Sequence, residues 1–105
     1  MAQDINALIS QLDVLIADSK VPGKLTRERA EEEAKRMTVA VKEALANLHK
    51  QLPPEALQAS GVLVDVFKVQ LGALLRHCGL DVKNPEQVKK LTQDLDNIKR
   101  SFIRG

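Results

Sequence analysis

Between a Pro-Pro pair and a Cys-Gly pair lies the longest apolar stretch of the chain, over 53–78, and the rest of the sequence is organised around it. Its middle reads Val-Leu-Val-Asp-Val-Phe-Lys-Val-Gln-Leu-Gly-Ala-Leu-Leu over 62–75. No other stretch could form the centre of a core, and the segments on either side are amphipathic and need such a centre. The stretch reads as one long helix. Proline is tolerated in a helix's first turn, where its missing N–H is not wanted, and Gly79 suits the position just past a helix end.

The flanking periodicities agree. Ile5, Leu8, Leu12 and Leu15 recur at spacings of three, four and three, with Ile9 and Ile16 widening the stripe and Asp4 placed to cap the first turn. Pro22 and Gly23 then mark a loop, and Thr26 suits the cap of a second helix. Along that helix Ala30, Ala34, Met37, Val41, Ala44 and Leu48 form a seam lined largely by alanine, which lets a neighbour approach closely. Arg27–Glu31, Arg29–Glu33, Glu31–Lys35 and Glu32–Arg36 are spaced as ion pairs on its outer face.

Leu52-Pro53-Pro54 ends the second helix and begins the third, so the two form an antiparallel hairpin. Asn84-Pro85-Glu86-Gln87 supplies a cap, a proline at the first helical position and a capping-box partner in order. Val88, Leu91, Leu95, Ile98 and Phe102 follow at helical spacing. The expectation is an all-α, four-helix up-down-up-down bundle, one domain over 1–105, with helices at about 4–18, 27–51, 54–78 and 85–103.

Composition narrows the chemistry. Aromatic residues make up 2% of the chain, with no Trp or Tyr, so the side chains that most often anchor interfaces and stack on bases are missing. A net charge of +2 is too small to argue by itself for a nucleic-acid or membrane surface. Cys78 stands alone, which excludes an internal disulfide and fits a reducing compartment. The start lacks the basic and apolar regions of a signal peptide. Asp65, Lys68 and Gln70 interrupt the apolar run before it reaches a membrane span. A soluble, cytoplasmic protein is expected.

Catalytic and metal-binding patterns are wanting. His49 and His77 fall at opposite ends of the third helix, roughly 36 Å apart at ~1.5 Å per residue, too far to share a metal or a proton within one subunit. No CxxC, HxxH, HExxH or Glu-x-x-His spacing occurs, nor any glycine-rich phosphate loop or nucleophile motif. A histidine phosphotransfer domain is also a small helical bundle, but it presents its histidine in mid-helix, which neither His49 nor His77 does. Neither an enzyme, a cofactor nor a metal is expected.

The third helix itself points to a partner. Gln58, Gly61, Asp65, Lys68, Gly72 and Arg76 make one narrow polar or small stripe, and nearly everything else around it is apolar. A peripheral helix of a monomeric bundle leaves more of its circumference to water. The second apolar flank, Val62, Val66, Val69 and Ala73, is therefore the expected contact surface, with Val39 and Ala46 as a weaker hint on the second helix. The expected function is a protein–protein interaction module, an adaptor or small regulatory subunit that self-associates as a homodimer or binds another helical protein.

The alternative for the fold is a lopsided monomer with the first helix laid across the third. In that monomer Asp65 and Lys68 pair with each other, and Gly61 and Gly72 serve close packing. The alternative for the function is weak nucleic-acid binding by Lys89, Arg100 and Arg104 on one face of the fourth helix, with Asp96 among them.

Overall fold

The computed structural model describes residues 4–103. Five helices follow in order: α1 Ile5–Ser19, α2 Arg27–Gln51, α3 Pro54–His77, α4 Leu80–Lys83 and α5 Pro85–Phe102. The all-α class is as expected, with no strand among the described residues.

Local chemistry sets the boundaries. The Asp4 carboxylate accepts from the Ala7 amide at 2.7 Å, and the Thr26 hydroxyl accepts from the Arg29 amide at 3.1 Å. Each satisfies one of the orphan donors of a first turn. The loop between α1 and α2 turns at Gly23, whose φ of 77° lies in the left-handed region that favours glycine, and Lys24 closes on Asp18 at 3.1 Å. Gly79, also at φ 77°, ends α3.

The segment after Gly79, which carries no helical pattern in the sequence, forms the single turn α4 and drives Leu80 into the core at 3% exposure. The helix expected fourth is thus the fifth. Asn84 caps it, accepting from the Gln87 amide at 3.4 Å.

The third helix is the hub. α1 packs chiefly on α3 and less on α2, while α5 packs on both α2 and α3. Phe67, Leu71, Leu74 and Leu75 of α3 are buried against Ile5, Leu8 and Leu12 of α1, Met37, Val41 and Leu45 of α2, and Leu95 of α5. The alanine seam of α2 is buried from Ala30 to Ala44, with Ala30 and Ala34 fully enclosed, and Leu48 at its end is half-buried. Thr38, beside it, satisfies its hydroxyl by donating to the Ala34 carbonyl at 2.8 Å.

The molecule measures 44 × 26 × 18 Å between its outermost Cα atoms along the principal axes. The shortest of these admits only about two layers of helices whose axes sit 8–10 Å apart. A hub helix in so thin a body keeps one side open.

Of the four pairs spaced along α2 only Glu31–Lys35 forms, at 3.4 Å; Arg27–Glu31, Arg29–Glu33 and Glu32–Arg36 do not. Arg36 pairs with Glu33 at 2.6 Å rather than with Glu32, because from there its guanidinium also reaches Gln11 of α1 at 3.1 Å. Asp65 and Lys68 do not pair with each other. Lys68 donates to Asp96 at 2.8 Å and Lys99 donates to Asp65 at 2.8 Å, both across the interface between α3 and α5. Numbers rise along one helix as they fall along the other, so α3 and α5 run antiparallel.

Candidate functional site

That crossed pair decides which side of α3 faces water. The polar stripe of α3 is turned onto α5: Asp65 and Lys68 through their ion pairs, and Gly61 through contact. A Cβ on Gly61 would stand 3.2 Å from Lys99 Cε and 3.4 Å from Ile103 Cδ1, so the end of α5 lies against bare backbone there. Gly72 is different, since a Cβ would meet nothing closer than Arg76 Nη1 at 3.7 Å on its own helix. With Phe67 and Leu74 buried and the middle of the polar stripe engaged by α5, the apolar flank stands in solvent beside exposed Arg76.

Val62 is 63% exposed, Val69 70% and Val66 39%, while Ala73 is half-buried. The four lie at spacings of four, three and four, so they form one strip along the helix. The structure therefore brings the expected contact residues together, three of them in the open. α1 does lie across α3, as in the monomeric alternative, and still leaves this strip bare.

Two neighbours belong to the same strip and were absent from the expectation. Exposed Ala59 precedes Val62 by three residues, and exposed Glu55 precedes it by seven. Their signal in the sequence is the continuation of the same heptad toward the start of the helix, ahead of the apolar run that begins at Val62.

Other features carry less. The furrow between α2 and α5 holds about 420 Å³ beside exposed Val39 and Lys42, with Thr38, Asp94, Asn97, Ile98, Ser101 and Phe102 lining it. Lys42 and Asp94 are its charged groups, and its two hydroxyls, Thr38 and Ser101, donate to the Ala34 and Asn97 carbonyls of their own helices. His49 meets Phe102 edge-on at 5.8 Å, which gives the imidazole a packing role at the α2 end. Burial pushes the Cys78 thiol above its ordinary pKa, so little of it is the reactive thiolate at neutral pH. Among the described residues no group of three or more His, Cys, Asp or Glu side chains is placed to hold a metal ion.

By length and composition α3 suffices to cross a bilayer, more than the interrupted run led one to expect. Within this fold its middle carries two ion pairs to α5 and it serves as the core helix. On α5, Lys89 and Arg100 are exposed and some 16 Å apart along the helix at ~1.5 Å per residue. Arg104 lies outside the described residues. Lys99, the basic residue next to Arg100, is held by Asp65.

Fold and surface together define a small all-α bundle whose core helix keeps one apolar face uncovered. Comparison of the chain with protein-family models, curated proteins and solved structures finds no match.

Proposed function

We propose that the protein is a non-enzymatic helical interaction module, an adaptor or small regulatory subunit of the cytoplasm, that associates with itself through the open face of α3. The observation that carries this reading is the exposure of Val62 and Val69, 63% and 70%, in the body of the helix that forms the core. Burying a valine side chain fully is worth about 1.5–3 kcal/mol, so a strip of them left in water is a standing driving force for association. Beta-branched side chains also lose little rotamer freedom when covered.

Sedimentation equilibrium from about 10 to 500 µM tests the reading, a range chosen because a strip this narrow binds at micromolar rather than nanomolar strength. A concentration-dependent shift toward the dimer mass supports it, and a single monomeric species throughout the range removes it.

Nucleic-acid binding by Lys89, Arg100 and Arg104 ranks second. Asp94 and Asp96 lie between the basic positions on α5, and Lys99 is engaged by Asp65.

A further inference from the structure

We infer that the partner on this face is a second copy of the chain laid antiparallel, α3 against α3, with the two-fold axis passing close to Val66. The inference rests on the self-association proposed above and specifies its geometry.

The strip reads as two interleaved heptad rows. One row is Ala59, Val66 and Ala73; the other is Glu55, Val62, Val69 and Arg76. A seven-residue repeat is the spacing that lets two helices stay in contact at a shallow crossing of about 20°. The first row is the same read in either direction. The second reverses sign when read backwards, from acid through two valines to base.

An isologous pair about a two-fold axis sets each position against its mirror across the axis. Turned antiparallel about the middle of the strip, Val66 meets the partner's Val66 and Val62 meets the partner's Val69. On either side an alanine faces an alanine, so the backbones close in around the valines. At both ends Glu55 comes beside the partner's Arg76. A parallel pair would instead set Glu55 against the partner's Glu55 and Arg76 against the partner's Arg76.

Both end charges are exposed, and neither forms an ion pair among the described residues of its own chain. This differs from Asp65 and Lys68, the other charges in the body of the helix, which are both spent on α5.

Size sets the strength. From Glu55 to Arg76 the strip runs about 30 Å and is about 10–12 Å wide, which amounts to roughly 350 Å² per subunit. Twice that falls below the ~1,200 Å² of a standard interface, so the dimer is weak, with Kd on the order of tens of micromolar.

Charge reversal and crosslinking test the geometry together. Glu55→Arg and Arg76→Glu each place like charges at both ends of an antiparallel pair, and each is expected to raise Kd about fivefold or more. The double variant restores opposite charges and is expected to return Kd to near the parent value. In a parallel pair neither single change creates a new repulsion, so an unchanged Kd for both overturns the inference. Thermal melts of each variant establish that the fold is intact.

For crosslinking, Cys78→Ser leaves the introduced thiol alone. Val66→Cys is expected to crosslink to itself with a reagent shorter than about 10 Å. Ala59→Cys, roughly 20 Å from its copy at ~1.5 Å per residue, is expected to do so only when mixed with Ala73→Cys. Self-crosslinking of Ala59→Cys overturns the antiparallel arrangement. A dimer in which none of these thiols crosslinks places self-association on another face, which overturns this inference and leaves association standing. A monomer at every concentration removes both.

Discussion

Lys99 Nζ lies 2.8 Å from Asp65 Oδ2, and one helical turn along, Lys68 holds Asp96 with the signs exchanged between the helices. Such partly exposed pairs contribute little each, about 0.2–1 kcal/mol. Their larger effect is on register. A slip of α5 by one turn in the wrong sense would set Lys99 against Lys68, so the crossed arrangement penalises the alternative packings that an apolar interface would tolerate. It also fixes the rotation of α3, and through it the face that is left to solvent.

Reversing one sign therefore costs more than removing it. Asp65→Ala is expected to lower unfolding free energy by less than about 1 kcal/mol, whereas Asp65→Lys, facing Lys99, costs about 1–2 kcal/mol. The double variant Asp65→Lys with Lys99→Asp should recover most of that loss. Urea unfolding of the four proteins gives the coupling directly, and strictly additive single effects would show that the pair does not set the register.

Gly61 and Gly72 sit on the same helix and are expected to respond oppositely. At Gly72 the space for a methyl is open, so Gly72→Ala gains helix propensity of about 0.5–1 kcal/mol. At Gly61 the methyl meets Lys99 Cε at 3.2 Å and Ile103 Cδ1 at 3.4 Å, so Gly61→Ala approaches neutrality. Gly61→Leu must push the end of α5 away and is expected to destabilise by about 2 kcal/mol. Melting temperatures rank the three, and a stabilised Gly61→Leu would refute the close approach.

Much of this architecture was legible beforehand. The heptad seam of α2, the caps at Asp4, Thr26 and Asn84 and the Pro-Pro break rest on local chemistry that a sequence carries openly. The partners of Asp65 and Lys68 were not legible, because charges three apart on one helix can satisfy each other as readily as charges on a neighbour. Only the packing of α5, brought to α3 by Leu91, Leu95 and Ile98, decides between them. The turn α4 escaped for a related reason: four residues have no periodicity, and Leu80 folds inward once Gly79 has reversed the chain. The exposure of Val62, Val66 and Val69 was legible because a helix with too much apolar circumference must leave some of it uncovered.

Cys78 offers a chemical check on the end of α3. Burial favours the neutral thiol over the thiolate, so the folded protein holds this proton more tightly than the unfolded chain. The sign follows: any contribution to stability is present below the ordinary thiol pKa and is lost as pH rises through the raised one. Alkylation at pH 8 should be slower in the native protein than in urea, with a rate still rising above pH 9. Equal rates in both states would place the thiol in open solvent.

The sharpest contrast is between two residues two apart on α3. Phe67 is fully buried and Val69 is 70% exposed, yet both belong to the apolar part of the same helix. Phe67→Ala leaves a cavity at the hub and is expected to cost about 3–5 kcal/mol, a large share of a small domain's stability. Val69→Asp removes no internal contact of that kind and is expected to change monomer stability by less than about 1 kcal/mol. Because it carries a charge into the centre of the proposed contact, it should weaken association at least tenfold. Cooperative melting of a dilute sample, set beside sedimentation of a concentrated one, separates the two quantities. If Val69→Asp melts like Phe67→Ala, the strip belongs to the core. If it melts like the parent and no longer dimerises, the strip is the contact surface.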